Sequence, residues 1–144
     1  MEYRHTQQGT IIIIAFIIVI LLIVMPYITS GVFQAIPTGI LVLIAIILGL
    51  FSSLTVEISN GVLLCRFGPG IIQKKIMLST IQDAKRVKNP WYSGWGIRWY
   101  PGGYWLWNVS GYKAVELLYK DGTRFRIGTN EPDALVKAIQ SNKV

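Results

Sequence analysis

Between Arg4 and Glu57 the chain contains no Asp, Glu, Lys or Arg. Charged residues reach only 15% of the whole sequence, against about a quarter in ordinary soluble domains. A segment this long with no charge argues against a water-facing surface. Histidine and cysteine occur once each, as His5 and Cys65. A single cysteine excludes an intramolecular disulfide and so a disulfide-stapled module. A single histidine, with no second His or Cys near it, leaves no metal-ligand cluster of usual spacing. It also leaves no Ser–His or Cys–His pair for nucleophilic catalysis. Among the few acidic residues, Glu57, Asp83, Glu116 and Asp121 are scattered, and they are expected to face solvent or end turns. Gly68-Pro69-Gly70 and Gly94-Trp95-Gly96 lack the later glycine and lysine of a phosphate loop. The sequence therefore predicts no catalytic residue, no cofactor and no metal site.

What fills the uncharged stretch is hydrocarbon. Residues 11–25 read IIIIAFIIVILLIVM, and residues 36–54 read IPTGILVLIAIILGLFSSL. With its flanks the first run reaches about 20 residues, enough to cross a ~30 Å hydrocarbon core. In lipid both runs must be helical, because each backbone group has to bond within its own segment. Two transmembrane helices are thus expected at about 9–28 and 36–54, behind a short N-terminal tail. Pro37 suits the first turn of the second helix. The link at 27–35 is short and uncharged, so the spans form a hairpin with both ends on one side. No Lys or Arg lies in the outer turn, which places both termini and the following domain in the cytoplasm, in a multi-pass protein of the cell (inner or plasma) membrane. Two other readings compete. The first run, behind Arg4, resembles a signal peptide, but it is long for one and a second apolar run follows directly. Two buried helices of a soluble core would require fifty uncharged residues to be covered. Gly39 or Ala45 with Gly49 offers small residues for helix–helix packing.

From residue 55 to 144 the period changes to two. Thr55–Ile58, Val62–Phe67, Ile71–Met77, Ile81–Lys88, Tyr104–Val109, Lys113–Lys120 and Thr123–Ile127 read as strands. Asn60-Gly61 and Asp121-Gly122 mark hairpin turns. Cys65 alternates with Leu63 and Phe67 and is expected to be a small buried hydrophobe. Val115, Leu117 and Tyr119 are expected inward and Glu116 and Lys120 outward, as are Phe125 and Ile127 against Arg124 and Arg126, so one face is buried and one is wet. Residues 89–103 read as a loop rich in Gly and aromatics. A C-terminal helix follows, capped by Thr129 or Asn130, with Pro132 in its first turn and Leu135, Val136 and Ile139 forming an apolar stripe. About seven strands and one helix fit a small barrel or sandwich plugged at one end.

Gly94-Trp95-Gly96-Ile97-Arg98, Trp107-Asn108-Val109-Ser110-Gly111, Ala114-Val115-Glu116 and the run Arg126-Ile127-Gly128-Thr129-Asn130-Glu131-Pro132 together resemble the bacterial pleckstrin-homology-like (PH-like) domain membrane proteins. One branch of that family places two transmembrane helices before the domain, so the resemblance covers essentially the whole chain. Asn130 stands where Asp is expected. The resemblance implies a PH-like two-sheet barrel closed by the C-terminal helix. It implies no firm activity. Eukaryotic PH domains that bind phosphoinositides use basic residues around the first hairpin, whereas Ser59-Asn60-Gly61 has none in the turn, so that site is not carried over.

Residues 57–144 hold 13 Lys/Arg against 6 Asp/Glu, a balance suited to an anionic neighbour. All five tryptophans lie within 91–107. Amphipathic rings favour the headgroup zone of a bilayer, and basic residues near an anionic surface add about 1 kcal/mol each. Trp91, Tyr92, Trp95, Arg98, Trp99 and Tyr100, with Lys85, Arg86 and Lys88 before them, form the candidate membrane-interface site. Trp105 and Trp107, on a strand, are expected in the core. Asn108-Val109-Ser110 is a glycosylation sequon, without meaning in a cytoplasmic domain. The expected function is a non-catalytic, membrane-anchored interaction or scaffold module that meets membrane lipid, another membrane protein or a second copy of itself, and not nucleic acid. The competing reading is a lipid- or envelope-modifying enzyme or its accessory subunit; an enzyme needs polar residues inside the membrane, and these runs carry only Thr, Ser and Gln near their ends.

Overall fold

The computed structural model describes residues 2–143. The chain runs β1 (Tyr3–Gln8), α1 (Thr10–Ser30), α2 (Ala35–Leu50), β2 (Ser53–Ser59), β3 (Val62–Phe67), β4 (Ile72–Met77), β5 (Ile81–Lys88), β6 (Gly96–Tyr100), β7 (Tyr104–Asn108), β8 (Lys113–Tyr119), β9 (Arg124–Gly128) and α3 (Pro132–Asn142).

α1 and α2 form the expected hairpin with shifted ends. α1 runs on through Pro26. Its last turn is held by the Thr29 hydroxyl donating to the Met25 carbonyl (2.9 Å) and the Ser30 hydroxyl to that of Pro26 (2.6 Å). At 1.5 Å per residue α1 is about 31 Å long and α2 about 24 Å. By length and composition α1 is the one described helix able to cross a membrane, and almost none of it is buried. α2 stops at Leu50, not at residue 54: Ser53 and Leu54 belong to β2, and Leu54 is a core residue. Hydropathy does not distinguish a lipid-facing leucine from one entering a β core. Ala45 is buried in the hairpin, and a Cβ at Gly49 would lie 3.8 Å from the Phe16 ring, whereas Gly39 has no neighbour so close. Two of the three small residues therefore let the helices approach.

Residues 3–8, read from sequence as a tail, are a strand. β1 pairs antiparallel with β2 from Tyr3↔Ile58 to Gln8↔Ser53. Its inward residues are Tyr3, His5 and Gln7 rather than aliphatics, so it carries no hydrophobic alternation. Backbone pairing and a 2.9 Å Thr6–Thr55 hydroxyl contact hold it instead. The next backbone donor, Gly9 N–H, reaches the Ser52 carbonyl at 2.8 Å. The whole helical hairpin is thus an insertion between two paired strands.

Two sheets enclose the core. One has the order β1-β2-β3-β4, all antiparallel; the other is β5-β8-β9-β7-β6, with β7 and β9 parallel. Leu54, Val56, Ile58, Leu63, Cys65, Phe67 and Ile76 face Val115, Leu117, Phe125, Ile127 and Trp107, and Leu135, Ala138 and Ile139 of α3 close one end. Rings at 4.9, 4.9 and 5.7 Å run from Phe51 at the α2 root through Phe67 and Trp107 to Phe125. Cys65 is fully buried, as expected. Asn60 and Gly61 adopt positive φ (49° and 73°) in the first hairpin turn, as a type I′ turn demands. Neither Thr129 nor Asn130 caps α3. The Thr129 hydroxyl accepts from the Glu131 N–H (3.1 Å), and the Asn130 Oδ1 meets the His5 Nε2 (2.6 Å).

Gly68 ties the β3–β4 turn to the helix root. Its φ is +44°, and a Cβ there would lie 2.7 Å from the Leu50 carbonyl oxygen and 2.9 Å from that of Gly49, both backbone. A side chain has to displace the root of α2. Gly68→Ala is expected to destabilise the domain by about 1–3 kcal/mol. Maleimide labelling of Cys65, slow in the native protein, reports this as faster modification. The tyrosines supply a second expectation. Burial, aided by the nearby Glu131 carboxylate, pushes Tyr3 up to about 12. Burial, with Cys65 and Asp121 adding to it, does the same to Tyr119. Unfolded tyrosine ionises near 10, so between pH 10 and 12 the unfolded chain releases protons that the fold retains. Stability is expected to fall across that window, measured as a declining Tm.

Candidate functional site

The aromatic stretch is not one loop. Asn89 N–H binds the Tyr112 carbonyl (2.6 Å), Trp91–Ser93 makes a single 3-10 turn, and residues 96–108 form the β6–β7 hairpin across Pro101-Gly102-Gly103. β6 was missed because Gly-Ile-Arg-Trp-Tyr sits among turn residues and shows no alternating pattern; it is a strand through its pairing with β7. Asn108, fully buried, anchors the segment. Its Nδ2 donates to the carbonyls of Gly111 (3.0 Å) and Gly94 (3.4 Å), and its Oδ1 accepts from Ser110 N–H (3.3 Å). The sequon is therefore occluded in the fold. The Tyr100 hydroxyl donates to the Ser93 carbonyl, and its ring stacks on Tyr104 at 5.2 Å. Burial raises the Tyr100 hydroxyl above its ordinary range.

The predicted interface residues separate into three places. Trp95 and Ile97 line a cavity of about 380 Å³ with Ile12, Ile47, Leu48 and Phe51, at the roots of both helices. Trp91 and Tyr92 project outward, 81% and 62% exposed, with their rings edge to face. Trp99 stands opposite Trp105 on the hairpin, and both are exposed. Arg98, on the other face, donates to the Trp95 carbonyl at 3.3 Å. Of the two tryptophans expected in the core, only Trp107 is buried. Trp105 lies two pairs nearer the turn, between Trp99 and Phe125 in register, and is 48% exposed.

Lys85, Arg86 and Lys88 do not join the aromatic hairpin. They lie on β5, the opposite edge of the same sheet, about 19 Å from β6 at ~4.8 Å per strand. Lys85 meets Glu116 at 3.6 Å and Arg86 meets Asp133 at 3.1 Å, so only Lys88 keeps an uncommitted charge.

The outer face of this sheet, expected to be wet, is covered at its centre. Glu116, 3% exposed, accepts from the Arg126 Nε at 2.7 Å. Arg126 also donates to the Asn89 Oδ1 (3.1 Å), and its guanidinium lies 3.9 Å from the centre of the Tyr104 ring. Leu106 and Ser93 are buried beside them. Residues 89–93 thus fold over the sheet and turn a cross-strand Glu–Arg pair into a buried one. The signal lay in Ala114-Val115-Glu116-Leu117-Leu118, whose near-continuous apolar run marks a strand covered on both faces.

Among the described residues no three or more His, Cys, Asp or Glu side chains come together to hold a metal ion. No protein-family model matches the chain, and no curated protein matches it.

Removing one partner of a buried ion pair leaves the other uncompensated, at a cost of about 3–5 kcal/mol. Glu116→Ala is accordingly expected to lower stability by that amount in chemical denaturation. The double substitution Glu116→Leu with Arg126→Met is expected to recover most of it.

Proposed function

We propose that this chain is a non-catalytic, membrane-anchored interaction module. Its helical hairpin crosses the bilayer twice, and its β domain lies against the headgroups through β6 and residues 89–97. The carrying observation is that Trp95 and Ile97 line one cavity with Ile12, Ile47, Leu48 and Phe51 at the helix roots. The aromatic segment meets the helices where they leave the domain, which is the headgroup level if the helices span.

The energetics of the hairpin support immersion. Ile14, Ile17, Ile18, Leu21, Leu22, Ile40, Leu43 and Ile46 are each more than half exposed, and most other large side chains there are exposed too. Leaving a large apolar side chain in water forgoes roughly 1.5–3 kcal/mol. Over this surface that exceeds the 5–15 kcal/mol that ordinarily stabilises a domain, so the natural surroundings are hydrocarbon. A buried soluble-core helix does not fit such exposure. A cleaved leader does not fit either, since β1, ahead of α1, is laddered onto β2. α2 is about 6 Å short of a ~30 Å core, and the exposed Val32 and Phe33 extend the apolar surface at the tip of the hairpin. Local thinning accommodates such a mismatch at modest cost. The uncharged tip and the basic domain favour cytoplasmic termini.

The PH-like reading draws support from topology. Setting aside the β6–β7 hairpin, the remaining strands divide into an antiparallel four (β1-β2-β3-β4) and an antiparallel three (β5-β8-β9), followed by α3. A two-sheet arrangement closed by a helix is what the sequence resemblance implies, although this set of seven includes β1 and omits β7. The helical hairpin then inserts after the first strand and the aromatic hairpin after the fifth. The partners of such a module are anionic lipid, another membrane protein or a second copy.

Quenching by brominated phosphatidylcholine tests the placement. Single-tryptophan variants retaining Trp91 or Trp95, reconstituted in vesicles, are expected to be quenched, and one retaining Trp107 is not. Equal, weak quenching of all three contradicts the interface.

A further inference from the structure

Lys88 and Lys113 face each other directly in the β5–β8 ladder. Directly opposed residues hold their Cβ atoms about 4.5–5.5 Å apart, and like charges there repel. Both side chains are exposed, and no described residue pairs with either. Of the neighbouring carboxylates, Asp133 is engaged by Arg86 at 3.1 Å, and Glu131 lies 3.3 Å from the His5 ring. Two concavities, of about 570 and 400 Å³, share Lys88, Lys113 and Asn130 as lining. The pair is a two-pronged cation with nothing between its prongs.

The smaller concavity reaches β1 near the helix roots. Gln7 lines it and is only 7% exposed; its Nε2 donates to the Ser110 carbonyl (3.0 Å), while its Oε1 has no hydrogen-bond partner. A buried acceptor left unpaired costs about 1–3 kcal/mol. That oxygen has almost no accessible surface of its own, so what the concavity offers a ligand is the pair of ammonium groups, and the ligand they fit is an anion. Location narrows the class. Gln7 lies two residues before Gly9, whose N–H bonds Ser52 at the helix roots, and the exposed Tyr112 borders the same cavity.

We propose that Lys88 and Lys113 together hold the phosphate of an anionic phospholipid headgroup. This rests on the reading that the domain sits at the bilayer. The phosphate bridges the two ammonium groups and converts a repulsive cross-strand pair into an attractive one. The shared chemistry, a phosphate ester, also occurs in soluble form, and the test separates the two.

The full chain is reconstituted in nanodiscs of phosphatidylcholine with and without phosphatidylglycerol, and co-retained lipid is read by native mass spectrometry. Phosphatidylglycerol is expected to be retained preferentially. Lys88→Gln and Lys113→Gln each reduce the preference about fivefold, following the ~1 kcal/mol per basic residue. In pure phosphatidylcholine the same variants raise Tm, since the repulsion is gone, which also certifies their folding. Unchanged phosphatidylglycerol preference in both variants, with tryptophan quenching by brominated lipid intact, overturns the site alone. Loss of that quenching in the unmodified chain instead overturns the anchoring reading beneath it. Lysine-dependent calorimetric binding of glycerol 1-phosphate to the phosphatidylcholine nanodiscs, as strong as that of the lipid, overturns the lipid source.

Discussion

The β1–β2 ladder is the constraint from which the remaining geometry follows. Six residue pairs, from Tyr3↔Ile58 to Gln8↔Ser53, bring the start of α1 beside the end of α2. An insertion closed at its base by backbone hydrogen bonds does not swing as a domain on a linker does. Hinge freedom needs a segment that absorbs φ/ψ change, and Gly9 and Ser52, bonded to each other, supply little. Phe51 stacking on Phe67, with Gly68 against the Leu50 carbonyl, continues the junction into the core. The helices extend directly from one sheet, so the orientation of the β domain relative to them is set by its fold.

That rigidity gives the second sheet its asymmetry. β6 lies at the root of the helices and β5 lies four strands away. Aromatics collect at the first edge and ion pairs at the second. The connection between the edges, residues 89–95, crosses the outer face and buries the Glu116–Arg126 pair beneath it. Asn108 fastens both this connection and the 109–111 turn. The same segment therefore orders the aromatic edge and seals a polar cluster, and a change at Asn108 or Asn89 is felt at both.

Much of the β domain was legible in the sequence. Leu63, Cys65 and Phe67, or Phe125 and Ile127, alternate because one face meets a core, and Asn60-Gly61 marks its turn by the φ it tolerates. The helices were legible by composition, since long apolar runs are rare elsewhere. β1 was not. Tyr-Arg-His-Thr-Gln-Gln becomes a strand only because β2 lies beside it, and pairing of that range leaves no local periodicity. β6 was hidden for the same reason. The boundary of α2 was misplaced because Leu54 suits lipid and a β core equally. The grouping of the candidate aromatics with Lys85 and Arg86 followed chain proximity, whereas strand order separates them by the width of the sheet. Lys113 and Gln7 gave no signal until β5 and β8, and β1 and the 110–112 turn, were brought together.

Backbone hydrogen exchange of the full chain in nanodiscs tests the ladder most directly. The ladder-bonded amides within residues 3–8 are expected to exchange in the same slow class as those of residues 53–59, since neither strand opens without the other. Rapid exchange throughout residues 3–8, with residues 53–59 still protected, would contradict the ladder and with it the fixed presentation of the domain.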